Sequence, residues 1–143
     1  MDRTPLVEKE IDFINVTKIL VENYRTLRLV IFLPNYLDEE NLDYNSYTLM
    51  VSAFEFDGRE EYDLTLEIFE LLSEGSSENI YNSIERIMLP HSLDVGVSGL
   101  LRMIGMPRIG TAYLSNNRFN NIVLPDGVLT YSKMNPLEIN PID

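Results

Sequence analysis

The sequence predicts a single α+β domain, formed by a small mixed or antiparallel sheet with helices packed on one face. Three observations favour this class. The chain has 143 residues, the size of one ordinary domain, and it contains no internal repeat and no linker. Apolar residues recur at helical spacing near the N-terminus and again after residue 60, and strand-like patterns lie between and after these two segments. We therefore treat residues 1–143 as one domain.

The first predicted elements are a helix and a central strand. Thr4 and Pro5 suit the cap and the first position of a helix. The apolar residues that follow form two stripes, the first of Leu6, Phe13, Val16, Leu20, Tyr24 and Leu27, and the second of Val7, Ile11, Ile14 and Val21. We expect a helix with two apolar sides to lie between its own sheet and a neighbouring subunit. Residues 27–33 predict a buried strand that ends at Pro34, followed by an acidic loop over residues 34–46.

The clearest predicted strand and helix lie between residues 47 and 75. Side chains alternate at the start of this segment with the two-residue period of a strand, which we place at residues 47–56. Asp57 and Gly58 then break the strand. A helix follows over residues 60–75, and its apolar side is predicted to comprise Tyr62, Leu64, Leu66, Ile68, Phe69, Leu71 and Leu72.

The second half of the chain predicts shorter elements. Ile80, Ile84 and Ile87 share one face of a short helix that Pro90 ends, and Ser92 suits the cap of another. The apolar face of this second helix comprises Leu93, Val97, Leu100, Leu101 and Ile104. Short strands are predicted at residues 110–114, 121–124 and 128–134. We expect the tail, residues 135–143, to be extended and held against its own domain or a partner.

The formal net charge of −12 is concentrated in the middle of the chain. Residues 38–85 carry fourteen acids and a single base, Arg59, whereas residues 86–133 have a charge of +3. Five acids of the helix after residue 59 fall within an arc of roughly 80° that contains no Lys or Arg, namely Glu60, Asp63, Glu67, Glu70 and Glu74. Such a field repels nucleic acid and anionic membranes and attracts basic surfaces. We interpret these acids as a docking face for a basic protein surface, against the alternative that they only solvate the helix.

A second group of residues suits an anion. Arg102, Arg108 and Arg118, together with Asn117 and its neighbouring asparagines, offer guanidinium and amide donors to a nucleotide or a phosphorylated ligand. The alternative is that these arginines pair with the acidic helix of the same chain or of a neighbouring copy. We favour this alternative, because opposite charges segregated within one small protein suit head-to-tail association.

The sequence lacks the residue combinations of common catalytic and metal sites. It has no cysteine and one histidine, His91, which excludes thiolate chemistry and disfavours a zinc site. The acids between residues 38 and 57 do not follow the spacing of an EF-hand. His91, Ser92 and Asp94 are too close in sequence to converge as a catalytic triad. We therefore predict no enzyme activity, no metal and no cofactor.

These observations favour a non-catalytic protein-binding or assembly subunit within a homo- or hetero-oligomer. Two alternatives are an acidic inhibitor or immunity-type protein that blocks a nucleic-acid-binding or toxin surface, and a binder of small anions such as nucleotides at the arginine and asparagine group. The opening order helix, strand, strand, helix loosely resembles that of small phage tail-completion and neck proteins, which implies a structural component of a virion. No signal peptide is apparent and the longest apolar run, Leu29–Leu33, is short, so that we expect a soluble cytoplasmic protein without membrane contact.

Overall fold

The computed structural model describes residues 4–106, 108–114, 118–119, 122–123 and 126–133. In chain order, the elements within these ranges are α1 (Thr4–Val7), α2 (Glu10–Asn23), β1 (Leu27–Tyr36), β2 (Leu42–Ala53), α3 (Glu61–Gly75), α4 (Glu78–Ser83), β3 (Ile84–Met88), α5 (Val95–Met103), β4 (Ala112–Leu114), β5 (Arg118–Phe119), β6 (Ile122–Val123) and β7 (Gly127–Ser132). A 3-10 turn, Phe54–Phe56, connects β2 to the loop before α3.

Five of the strands form a mixed sheet in the order β3-β2-β1-β7-β4, and β5 pairs with β6 separately. The central strand β1 is antiparallel to both β2 and β7. β3 is parallel to β2, and a parallel pair needs a long crossover, which α3 and α4 supply here. The predicted α+β class with a mixed sheet is thus confirmed.

Different helices cover the two faces of this sheet. Along β1, Val30 and Phe32 belong to the core cluster that includes α2 and α3, whereas Leu29 and Ile31 pack against α5. Because alternate residues of a strand point to opposite faces, the two clusters lie on opposite sides. The N-terminal and acidic helices share one face, as predicted. The sheet separates both of them from α5.

Phe13 of α2 lies at the centre of the larger cluster. Its fully buried ring stacks on Phe32 of β1, with 4.3 Å between the ring centroids, and meets the edge of Tyr47 of β2 at 5.2 Å. One turn later, the hydroxyl of Thr17 forms a buried hydrogen bond of 2.7 Å with that of Thr130 in β7. α2 therefore contacts the three central strands.

The N-terminal helix is less regular than predicted. It is interrupted at residues 8 and 9 and divides into α1 and α2. Val7 and Ile11, from the predicted second apolar stripe, are 51% and 74% exposed. The other two residues of this stripe, Ile14 and Val21, are partly buried, and Val21 packs against the core. The second stripe is therefore exposed only at its N-terminal end.

Pro34 does not end the central strand, as the sequence predicted. It is buried, and β1 continues to Tyr36 with a shift in the β2 register between Pro34 and Asn35. Since proline has no N–H to donate to a sheet, the irregularity lets the strand pass this residue. The predicted loop over residues 34–46 is consequently short, because β2 already begins at Leu42.

Ile84 and Ile87 belong to a strand, although their spacing predicted a helix. α4 ends before them, and β3 places both side chains in the core. The register between β3 and β2 shifts at Glu85, which is an extra residue opposite the partner strand. Such a bulge lets two residues three apart face the same side, which reproduces the spacing of a helix.

The start of α5 also differs from the prediction. Asp94 caps this helix, because its carboxylate accepts hydrogen bonds from the backbone N–H groups of Gly96 and Val97. Ser92, the predicted cap, is fully buried and has a different role described below. Leu93, predicted on the apolar face, is 62% exposed.

Three of the C-terminal strands lie where they were predicted. β4 and β6 lie within the predicted ranges 110–114 and 121–124, and β7 (Gly127–Ser132) begins one residue before the third range, residues 128–134. β5 (Arg118–Phe119) lies between the first two ranges, where no strand was predicted. The tail, residues 135–143, lies outside the described residues, so its predicted extended conformation stays a prediction.

Candidate functional site

The helix α3 buries a narrower side than its sequence predicts. Leu64, Ile68 and Leu72 are fully buried against the sheet and α2. Tyr62 and Leu66, which were predicted on the same apolar side, are 66% and 51% exposed. The prediction was wrong for these two residues because a helix on a sheet buries about one third of its circumference, and the seven apolar residues cover more.

We call the five predicted docking residues, Glu60, Asp63, Glu67, Glu70 and Glu74, the acidic ridge. The structure places them along one side of α3, with Glu60 immediately before the first helical residue. Glu60, Asp63, Glu70 and Glu74 are exposed. Glu67 is half-buried, and its environment differs from that of the other four.

Glu67 is held by two side chains of its own chain. The buried Tyr24 donates a hydrogen bond of 2.8 Å to its carboxylate. Arg59 approaches the same carboxylate with both terminal nitrogens, at 3.2 and 3.3 Å. The pKa of Glu67 is lowered, mainly by the hydrogen bond from Arg59 and to a lesser extent by the one from Tyr24. The pKa of Tyr24 is raised, mainly by burial and to a lesser extent by its hydrogen bond to Glu67. Glu67 therefore anchors α3 to the end of α2, and Arg59 is already occupied.

The depressed pKa of Glu67 predicts a pH-dependent contribution to stability. Because its folded-state pKa lies below the unfolded value of about 4.3, this contribution is complete above that pH and is lost as the pH falls through the folded-state pKa. We expect Glu67→Gln to lower the free energy of unfolding by less than about 1 kcal/mol at pH 7, since the pair is half-exposed. The difference from wild type should shrink between about pH 5 and pH 3, as measured by urea denaturation.

The control for this prediction is Glu70→Gln, which removes an exposed carboxylate of the same helix. Its stability difference from wild type should show no comparable change over this pH range. A Glu67→Gln curve that runs parallel to the wild-type curve at all pH values would contradict the role of Glu67.

His91, Ser92 and Asp57 meet in space but are not arranged for nucleophilic catalysis. The carboxylate of Asp57 accepts hydrogen bonds from the Ser92 hydroxyl and, at 3.0 Å, from the Ser92 backbone N–H. His91 Nε2 lies 3.6 Å from the same carboxylate, and its Nδ1 accepts from the N–H of Leu93. A catalytic triad needs the histidine between the serine and the acid, whereas here the acid lies between them. We describe these contacts as the Asp57 clamp, which joins the loop before α3 to the loop before α5.

Two of the acids between residues 38 and 57, Asp38 and Glu55, have local structural roles. Asp38 accepts hydrogen bonds from the backbone of Glu40 and Asn41, and Glu55 accepts from the N–H and hydroxyl of Thr26. Within the residues that the structure describes, no three His, Cys, Asp or Glu side chains lie close enough together to hold a metal ion.

The structure describes the side chains of two of the four residues predicted to bind an anion. Arg102 is exposed in the last turn of α5, and Arg108 is exposed in the following bend. Arg118 begins β5 without a described side chain, and Asn117 lies outside the described residues. Because α5 and α3 lie on opposite faces of the sheet, Arg102 does not reach the acidic ridge of its own chain. The predicted pairing within one chain is therefore wrong for Arg102.

An open groove of about 890 Å³ was not predicted. It lies between the N-terminal helices, the turn that joins β1 to β2, and α4. Its lining includes Glu8, Asp12 and Asp43 against a single base, Lys9. No sequence motif marks this groove, because its walls come from three separate parts of the chain.

Comparison with known proteins gave no match to a protein-family model, to a curated protein or to a solved structure. In the part of the chain that the structure describes, every helix is too short or too polar to cross a membrane.

Proposed function

We propose that this protein is a non-catalytic protein-binding or assembly subunit that docks a basic protein surface on the acidic ridge of α3. The observation that supports this proposal is the exposure of Glu60, Asp63, Glu70 and Glu74 along one side of α3. Arg59, the one base among residues 38–85, is bound to Glu67. The remaining carboxylates of the ridge are therefore available to cations from outside the chain.

The energetics of α3 support an external role for these acids. Glu70 and Glu74 are one helical turn apart, and a like-charge pair at this spacing destabilises a helix by about 0.2–0.5 kcal/mol. Glu74 also lies near the C-terminal end of the helix, where the helix dipole disfavours negative charge. When a basic partner binds, its cations attract these carboxylates and offset their mutual repulsion. The same attraction raises the rate of association at low salt.

An inhibitor that blocks a basic nucleic-acid-binding or toxin surface is a special case of this proposal, because it would use the same acidic ridge. Binding of a nucleotide at the arginine and asparagine group stays a second proposal, and the two of its arginines with described side chains, Arg102 and Arg108, are both exposed.

The test compares two charge reversals of equal size. Asp63→Lys/Glu70→Lys changes the ridge, and Glu39→Lys/Glu40→Lys changes exposed acids in the turn between β1 and β2. The probe is a synthetic helical peptide of about 20 residues with one leucine stripe and one lysine stripe, and its affinity is measured by calorimetry at 50 mM salt. We expect the ridge variant to bind at least about tenfold more weakly than wild type, which corresponds to about 1.4 kcal/mol.

The turn variant has the same net charge as the ridge variant and should stay within about threefold of wild type. Equal losses in the two variants would show that the peptide responds to net charge alone. That outcome, or binding that neither variant weakens, contradicts the proposed function.

A further inference from the structure

A stripe of exposed apolar residues runs along α3 beside the acidic ridge. Four residues share this stripe at spacings of four, three and four, namely Tyr62, Leu66, Phe69 and Ser73. Tyr62 and Leu66 are more than half exposed, and Phe69 is half-buried with its ring edge-on to Tyr81 at 6.1 Å. This alternation of four and three is the spacing of the contact line between two packed helices. We call these four residues the α3 seam.

Acids occupy one flank of this seam. Asp63 directly follows Tyr62, and Glu70 directly follows Phe69, which are the flanking positions where charge selects the partner of a helix pair. On the other flank, Leu72 is fully buried in the protein's own core. A partner helix therefore meets carboxylates on the open side of the seam.

A second copy of this chain does not satisfy these acids. In an antiparallel pair of α3 helices, the acidic flanks face each other, and like charges at these positions repel. In a parallel pair, Asp63 and Glu70 face the other flank of the partner copy, which carries Thr65 and Leu72 and no cation. The charge pattern thus favours a partner of different sequence.

We infer that the α3 seam binds an amphipathic helix of a basic partner, with Lys or Arg beside its apolar stripe. This inference rests on the proposed function and names the kind of partner. The apolar side chains of the partner cover Tyr62 and Leu66, and aromatic and aliphatic side chains of this kind supply most of the affinity in helix-and-groove recognition. The flanking cations pair with Asp63 and Glu70, which gives specificity and a fast association rate.

The test separates the seam from the ridge. Tyr62→Ser/Leu66→Ser removes the exposed apolar groups and leaves every acid in place. The control is Val7→Ser/Ile11→Ser, which removes two exposed apolar residues from α1 and α2. The probes are the leucine–lysine peptide, the same peptide with its leucines changed to glutamine, and the same peptide with its lysines changed to glutamate.

We expect the seam variant to bind the leucine–lysine peptide at least about tenfold more weakly than wild type, and the control variant to stay within about threefold. The glutamine peptide should bind wild type and the seam variant with equal, weak affinity, and the glutamate peptide should not bind. At 500 mM salt, where charges are screened beyond about 4 Å, wild type should keep a measurable affinity for the leucine–lysine peptide through the apolar contacts.

The outcomes distinguish failure of this inference from failure of the proposed function. If the ridge reversal weakens binding but the seam substitutions do not, the ridge is a docking face and the seam is not part of it. If neither set of substitutions has an effect, both statements fail. If light scattering shows a dimer of wild type that Tyr62→Ser/Leu66→Ser dissociates, a second copy occupies the seam and the inference is overturned. Circular dichroism of each variant checks that α3 remains folded.

Discussion

Replacement of Phe13 by alanine is expected to lower the free energy of unfolding by about 3–5 kcal/mol. Phe13 is fully buried, stacks on Phe32 and touches the edge of Tyr47, so that its removal leaves a cavity where α2 meets β1 and β2. The loss includes both the transfer free energy of the ring and the unfilled space, because rigid strands on the far side cannot move inward. Urea denaturation followed by circular dichroism measures the change.

The control for Phe13 is Ile11→Ala in the same helix. Ile11 is 74% exposed, and its truncation should change the free energy of unfolding by no more than about 0.5 kcal/mol. If the two substitutions have similar costs, α2 does not pack on the sheet through Phe13.

The Asp57 clamp gives the second large expected effect. We expect Asp57→Ala to lower the free energy of unfolding by about 2–3 kcal/mol, because the N–H and hydroxyl of Ser92 lose a charged acceptor. Ser92 is fully buried, so that water cannot easily replace the carboxylate. Asp57→Asn should cost less, since its amide keeps an oxygen for the N–H of Ser92. Chemical denaturation at pH 7 measures each change.

Two further variants show whether the loss comes from the clamp. Asp38→Ala removes a carboxylate whose hydrogen bonds stay within an exposed turn, and it should cost less than about 1 kcal/mol. Asp57→Ala combined with Ser92→Ala should cost less than the sum of the single substitutions, because the two side chains interact directly. Additive losses would contradict the clamp.

Local sequence patterns predicted much of the fold. Hydrophobic periodicity and turn residues predicted the strand before Asp57, the helix α3 and the central apolar strand. They also predicted the positions of β4, β6 and β7, but not that of β5. These signals are local, so they do not depend on which elements pack together. They were sufficient for the α+β class and for the location of the acidic ridge on one helix.

The errors arose where packing overrides periodicity. Ile84 and Ile87 have helical spacing, but a bulge in β3 produces the same pattern. Tyr62 and Leu66 are apolar and were predicted on the buried side of α3, yet they are exposed, because a helix that packs on a sheet buries only part of its circumference. Hydrophobic periodicity gives the angular position of each side chain around a helix. Only the tertiary structure shows how much of the helix circumference is buried.

The candidate site shows the same limit. The acidic ridge was apparent from sequence, but the bond of Arg59 to Glu67 was not, because Arg59 precedes the helix and was not counted on its surface. The contribution of Tyr24 comes from 43 residues earlier in the chain. These contacts identify Asp63, Glu70 and Glu74 as better positions for testing a partner than Glu67, whose substitution also affects stability.

The bulge in β3 has a consequence for the behaviour of the protein at high concentration. β3 is the outermost described strand at its end of the five-stranded sheet, where unpaired backbone groups invite strand addition from other molecules. The extra residue Glu85 disturbs the regular ladder, and Glu85 and Arg86 place charged side chains at this edge. Both features oppose amyloid-like growth from this edge of the sheet.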